Sequence, residues 1–76
     1  MTYRIALIFD NGGSRTSIDV GGVPMAQMKT AIRQMIAKHN IPHSATLHVE
    51  QEEPRTIYFR GVLSSVPSLT ASPAGI

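Results

Sequence analysis

The segment Asp10-Asn11-Gly12-Gly13 is the feature that most limits what this chain can fold into. It separates two stretches in which apolar and polar residues alternate, which is the spacing of a strand with one buried face. Asn and Gly tolerate the positive φ angles that a tight two-residue turn requires. The sequence therefore predicts a β-hairpin in which the two strands flank Asn11-Gly12.

Alternate residues of the first predicted strand fall on opposite faces of the sheet. We expect one set of side chains to face the core and the other to face outward. The inward set is Tyr3, Ile5, Leu7 and Phe9, and the outward set is Arg4, Ala6 and Ile8. In the second predicted strand, Thr16, Ile18 and Val20 alternate with Arg15, Ser17 and Asp19.

A single helix is predicted over residues 24–39. Gly21-Gly22 interrupts the second strand, and Pro24 suits a first helical turn because its missing N–H costs nothing there. Asn40 is expected to cap the helix, and Ile41-Pro42 prevents its continuation. The apolar stripe at helical spacing is Met25, Met28, Ile32, Met35, Ile36 and His39.

A second hairpin is predicted after the helix, with strands over residues 46–50 and 55–62 and an acidic turn between them. We expect Ile57 and Phe59 to face the core, with Thr56, Tyr58 and Arg60 on the outer face. Residues 64–76 are rich in Ser and Pro and too poor in large apolar groups to form a core. The predicted domains are therefore 1–63 and a C-terminal tail, 64–76.

These elements predict a single small α+β domain of ββαββ order, with one helix packed on a four-stranded sheet. The first and fourth strands are the most apolar, so we expect them in the middle of the sheet, in the order 2-1-4-3. A right-handed crossover through the helix makes these two strands parallel and the sheet mixed. The element order resembles a β-grasp fold. That resemblance implies the fold alone, because such folds host carriers, enzymes and binding modules alike.

The size of the chain limits its core, since 76 residues bury only a modest apolar area. A homodimer is therefore an open alternative. The absence of cysteine excludes disulfides and thiolate zinc sites and fits a reducing compartment, so we expect a cytoplasmic protein. The apolar run before Asp10 is too short for a signal peptide or a membrane span, and no membrane association is expected.

The search for reactive or ligating side chains predicts no enzyme, no metal site and no cofactor. His39 and His43 have the spacing of two helical ligands, but Asn40-Ile41-Pro42 lies between them. His48 and Glu50 share one face of a strand and could add ligands, but we expect these histidines to be ordinary surface or capping residues. Asp10 and Asp19 fit a turn and a strand exterior better than acid or base catalysis.

Two basic surfaces are the candidate partner-binding sites. The first is the outer face of the sheet, where basic groups can contact phosphates and an aromatic ring can stack on a base. Its predicted members are Arg4, Arg15, Tyr58 and Arg60, beside His48. The second is the helix, which carries Lys29, Arg33 and Lys38 and no acidic residue.

The sequence predicts a non-catalytic protein-interaction module that acts by occupying a surface of a larger partner. In its size and lack of motifs the chain resembles the small inhibitors and accessory proteins of phages and other mobile elements, anti-CRISPR proteins among them. That resemblance implies a nucleic-acid-handling protein or ribonucleoprotein complex as the partner. The alternative is direct binding of RNA or single-stranded DNA by the open face of the sheet.

Overall fold

The computed structural model describes residues 1–70, which form a small α+β domain. The strands, in chain order, are β1 (Thr2–Asn11), β2 (Ser14–Pro24), β3 (Thr46–Glu52) and β4 (Arg55–Val62). The helices are α1 (Met28–His39) and the short α2 (Pro67–Thr70), with 3-10 turns at Met25–Gln27 and Leu63–Ser65. Among the described residues, no helix has both the length and the apolar character needed to cross a membrane.

The sheet has the order β2-β1-β3-β4, and each neighbouring pair is antiparallel. The predicted order 2-1-4-3 and the mixed, β-grasp-like sheet are therefore wrong. β1 pairs with β3, and β4 lies at an edge. α1 connects β2 to β3 and so passes over β1, which lies between them.

The error in strand order has a physical cause. Only one face of this sheet is covered, so the position of a strand depends on its inward side chains rather than on its overall apolar content. Leu47 and Val49 of β3 are almost fully buried, whereas His48 and Glu50 point to the other face. Ile57 of β4 is 61% exposed. A prediction based on the apolar content of both faces therefore placed β4 in the middle of the sheet and β3 at its edge, which is the reverse of their positions.

The first hairpin is confirmed, with its turn one residue later than predicted. Asn11 pairs with Ser14, and the two central residues, Gly12 and Gly13, have φ angles of 62° and 88°. Positive φ at both positions is the geometry that joins two twisted strands most directly, and glycine adopts it without a steric penalty. The inward set of β1 is also confirmed, because Tyr3, Ile5 and Leu7 are buried.

The helix ends where the sequence predicts and begins later. Asn40 adopts the left-handed conformation, with φ 52° and ψ 49°, and its N–H donates to the carbonyl of Ile36. At the other end, Pro24 closes β2 and α1 begins only at Met28. Met28, Ile32 and Met35 are buried, but Met25 lies in the preceding 3-10 turn and is 46% exposed. Met25 thus does not belong to the buried stripe.

The core lies between α1 and the inner face of the sheet. Its buried apolar residues are Tyr3, Ile5, Leu7, Val23, Met28, Ile32, Met35, Ile41, Ala45, Leu47, Val49, Leu63 and Leu69. Among the described residues, no polar or charged residue is buried. The burial that stabilises this part of the chain is therefore mainly that of apolar side chains.

The segment after β4 packs against the domain. Leu63 is fully buried, Leu69 is 8% exposed, and Val66 packs against the core. The Arg33 side chain donates a hydrogen bond to the carbonyl oxygen of Ser68 and so links α1 to α2. The predicted tail, 64–76, begins within this packed segment, and its last six positions, 71–76, lie outside the described residues.

Candidate functional site

The face of the sheet that α1 does not cover, here called the open face, carries a chain of hydrogen-bonded charged side chains. Arg60 Nη1 lies 2.9 Å from His48 Nδ1, and His48 Nε2 lies 2.9 Å from Glu50 Oε1. The other oxygen of Glu50 accepts from Arg55 Nε at 3.0 Å. The chain of contacts runs from β4 to β3 and back to β4.

The two neighbours of His48 define the tautomer that fits this arrangement. A guanidinium can only donate, so Nδ1 of His48 acts as the acceptor from Arg60. Nε2 then carries the hydrogen and donates to the Glu50 carboxylate. The neutral imidazole satisfies both contacts, and the bonds from His48 and Arg55 hold the pKa of the Glu50 carboxyl below its ordinary value.

A second group of contacts on the open face is centred on Arg4 of β1. Arg4 Nη1 donates to Asp19 Oδ2 at 2.9 Å, and Arg4 Nη2 lies 3.9 Å from Glu52 Oε2. Glu52 also accepts from the Thr2 hydroxyl at 2.8 Å and from the Gly22 backbone N–H at 2.9 Å. These two hydrogen bonds, and secondarily the Arg4 charge, lower the pKa of the Glu52 carboxyl.

The lowered pKa of Glu52 predicts acid sensitivity with a defined sign. The ionised Glu52 carboxylate makes its full contribution to the stability of the folded state above pH 4.5, the ordinary pKa of the carboxyl. This contribution is lost as the pH falls through the lower pKa that Glu52 has in the folded state. Replacing Glu52 with glutamine is therefore expected to lower the melting temperature near neutral pH, and the difference from the wild type should shrink below pH 4.5. Thermal unfolding followed by circular dichroism from pH 2 to pH 7 measures this.

Glu53→Gln is the matched control, because it makes the same charge change one residue away. Glu53 makes no side-chain hydrogen bond or ion pair within the described residues. A Glu52→Gln curve that coincides with the Glu53→Gln curve at every pH would contradict the assignment.

The paired charges leave the open face nearly neutral. Arg4 and Arg55 are matched by carboxylates, and Arg60 is bound to His48. Exposed ion pairs of this kind add little stability, typically about 0–1 kcal/mol. Their main consequence here is that three of the four arginines on the face are already engaged. Arg15, opposite Asp10 in the β1–β2 register, makes no ion pair within the described residues.

Tyr58 does not lie on the open face, contrary to the sequence prediction. Val49 pairs with Phe59 and Glu50 pairs with Ile57, so Tyr58 is the extra residue of a β-bulge in β4. Its ring centroid lies 5.2 Å from that of buried Tyr3, at an interplanar angle of 64°, which places it on the helix side. The bulge also turns Ile57 outward, where the sequence predicted it inward.

The three basic residues of α1 do not form one patch. Lys29 and Arg33 are four residues apart and share the flank of the helix that faces α2. Lys38 is nine residues from Lys29, which corresponds to about half a turn around the axis, and it lies beside Ile18 and Val20 of β2. Arg33 is bound to the carbonyl of Ser68, whereas Lys29 and Lys38 make no ion pair within the described residues.

An apolar groove, here called the α1–β4 groove, lies between the helix, the edge strand and α2. It has a volume of about 300 Å³. Its lining is apolar except at the edge, where Lys29 and Ser68 contribute. The lining residues are Met25, Met28, Lys29, Ile32, Leu47, Val49, Tyr58, Phe59, Val66, Ser68 and Leu69.

The groove lies on the side of the sheet where α1 leaves the edge strand partly uncovered, because α1 approaches β2 more closely than β4. Met25 and Tyr58 are 46% and 55% exposed at its rim, which is unusual for large apolar side chains so close to the core. Sequence reasoning missed Met25 and Ile57 as surface residues. For Met25, the available signal was Pro24, which can close a strand as well as open a helix. For Ile57 there was no signal, because no residue pattern marks the bulge in β4.

No cluster of ligating side chains accompanies these surfaces. Within residues 1–70, no three His, Cys, Asp or Glu residues lie together in a way that could hold a metal ion. The expectations that the chain is no enzyme and needs no metal or cofactor stay predictions. Comparison with protein-family models, with curated proteins and with solved structures finds no match.

Proposed function

We propose that this chain is a non-catalytic protein-interaction module that binds a larger partner through the α1–β4 groove. The observation that carries the proposal is the groove itself, an apolar depression whose rim exposes Met25 and Tyr58. Unbranched methionine side chains repack around different apolar shapes, and tyrosine contributes a large, stiff contact area. Such residues are typical of the centres of binding sites rather than of inert surfaces.

The charge beside the groove defines the kind of partner segment that it fits. Lys29 lies at the rim, and Arg33 follows on the same flank of α1. A partner segment with bulky apolar side chains for the groove and an acidic residue for Lys29 complements both features. Lys38 lies on the opposite flank and has no part in this contact.

We extend the proposal to the class of partner. The proposed partner is a nucleic-acid-handling protein or ribonucleoprotein complex, and this chain would act on it as an inhibitor or accessory protein of a phage or other mobile element. The small size of the chain and its lack of motifs support this proposal. In this proposal the groove contacts a protein component of that complex. The open face, where three of the four arginines are already engaged within the domain, has no direct role.

The test compares two variants, each of which introduces a carboxylate at an exposed apolar residue. Met25→Glu places a carboxylate at the rim of the groove, and Val20→Glu places one on β2, where Val20 is 37% exposed. Purified wild-type protein and both variants are used to capture partners from an extract of the native host. The protein recovered by the wild type is then purified, and its affinity for all three is measured.

Met25→Glu is expected to weaken binding about 30-fold, which corresponds to the roughly 2 kcal/mol that a central contact contributes. Val20→Glu should bind like the wild type. Equal affinities of all three proteins would refute the groove as the binding site, and so would equal losses in both variants. Circular dichroism confirms that both variants are folded.

The alternative function, binding of RNA or single-stranded DNA by the open face, has less support from this geometry. Tyr58 is on the other side of the sheet, and Arg4, Arg55 and Arg60 are engaged within the domain. Arg15 is the predicted contact that stays available. Salt-sensitive binding of an oligonucleotide that Arg15→Ala abolishes and Met25→Glu leaves intact would favour the alternative.

A further inference from the structure

The two edges of the sheet differ in how they are protected. β2 has a register irregularity near Gly21-Gly22 and ends at Pro24, features that hinder the pairing of an additional strand. β4 runs for eight residues from Arg55 to Val62 without proline or lysine. It carries three of the large apolar side chains that are exposed in the described chain, Ile57, Tyr58 and Val62.

The charges on β4 do not protect it fully, because both arginines, although exposed, are bound to side chains of β3. Arg55 is bound to Glu50, and Arg60 is bound to His48. The bulge at Tyr58 interrupts a regular strand, which would normally hinder pairing. A second β4 strand, however, carries the same bulge, so two copies can match each other where an ordinary strand would not.

The faces of β4 are symmetric about its centre. Its pairing with β3 places Arg55, Ile57, Arg60 and Val62 on the open face, because their partners alternate with buried Leu47 and Val49. Thr56, Phe59 and Gly61 lie on the helix side, joined by Tyr58. Counted inward from either end of the strand, the first four residues lie in turn on the open face, the helix side, the open face and the helix side. The pattern is a palindrome whose midpoint lies between Tyr58 and Phe59.

From this symmetry we propose that two copies of the chain pair through β4, antiparallel about a two-fold axis, to form a continuous eight-stranded sheet. Residues opposite each other in an antiparallel pair share a face. The register that sets Tyr58 against Phe59 of the second copy satisfies this at all eight positions. A shift by one residue in either direction places open-face residues against helix-side residues.

The same register is compatible with the charges. It sets Ile57 against Arg60 of the second copy and Val62 against Arg55, so no two arginines are directly opposite. The aliphatic stem of each arginine can cover the exposed apolar side chain across from it. On the helix side, Tyr58 and Phe59 of both copies come together at the axis as cross-strand aromatic pairs.

The interface is tested by the oligomeric state of the purified protein, measured by sedimentation equilibrium over a range of concentrations. The wild type is expected to dimerise. Ile57→Arg places two like charges opposite each other and should raise the dissociation constant about tenfold or more. Val20→Arg makes a matched change on the β2 edge and should leave the dimer unchanged.

Two further variants test the register. Arg60→Glu alone should stay dimeric, and the double variant Ile57→Arg with Arg60→Glu should recover the dimer, because each new arginine then faces a glutamate. The chain has no cysteine, so Ile57→Cys with Arg60→Cys should form a disulfide between copies under mild oxidation. The same two positions within one strand are roughly 10 Å apart, beyond the about 7 Å that a disulfide spans.

The proposal is overturned if the wild type is monomeric up to millimolar concentration, or if Val20→Arg rather than Ile57→Arg disrupts the dimer. A double charge variant that stays monomeric, although folded, would reject the register. This inference does not depend on the partner proposed above, because all measurements use the purified chain. Met25→Glu should dimerise normally, so the two proposals fail separately.

Discussion

Replacing Leu63 with alanine is expected to lower the free energy of unfolding by about 2–5 kcal/mol. Leu63 is fully buried, and its backbone N–H donates to the carbonyl of Ala45, so the neighbouring backbone cannot easily close the cavity. A domain of this size has only a small margin of stability. Urea unfolding followed by circular dichroism measures the change.

Val62→Ala is the control for this experiment. Val62 is the preceding residue and is 46% exposed. Its replacement with alanine should lower the free energy of unfolding by less than about 1 kcal/mol in dilute solution. If the two variants lose similar stability, the assignment of Leu63 to the core is wrong.

A second large loss of stability is expected on replacing Leu69, which lies in the segment predicted to be a tail. Leu69 is 8% exposed and contributes to the wall of the α1–β4 groove. Its replacement with alanine should lower the free energy of unfolding by about 2 kcal/mol, at the low end of the range for a buried leucine because the site is at the surface of the core.

Ser68→Ala is the comparison for Leu69, since Ser68 is exposed and only its backbone carbonyl is used by Arg33. It should change stability by no more than about 0.5 kcal/mol. Urea unfolding under the same conditions gives both values. A Leu69→Ala protein as stable as Ser68→Ala would mean that the segment after Leu63 behaves as the predicted tail.

Local structure was predictable where backbone geometry admits few residue types. Gly12 was predicted in the first turn, although its partner there is Gly13 rather than Asn11, and Asn40 supplies the left-handed residue at the end of α1. The alternation in β1 identified Tyr3, Ile5 and Leu7 as core residues. Each of these inferences depends on neighbours along the chain rather than on distant contacts.

The candidate site was less predictable, because it depends on pairing between strands. A bulge shifts a residue from one face to the other, and its position in β4 is defined only by the β3 register. Tyr58 and Ile57 therefore exchanged faces relative to the prediction. The contact of Arg4 with Glu52 was likewise not predictable until β1 was placed beside β3.

The bond from Arg33 to α2 has a consequence for how this chain can change over evolution. Arg33 binds a backbone carbonyl, a group that every amino acid possesses, so the residue at position 68 is free to vary without loss of the anchor. Since Ser68 borders the groove, its chemistry can diversify while the wall stays in place. A substitution at position 68 can therefore change the chemistry of the groove without removing the bond that anchors its wall.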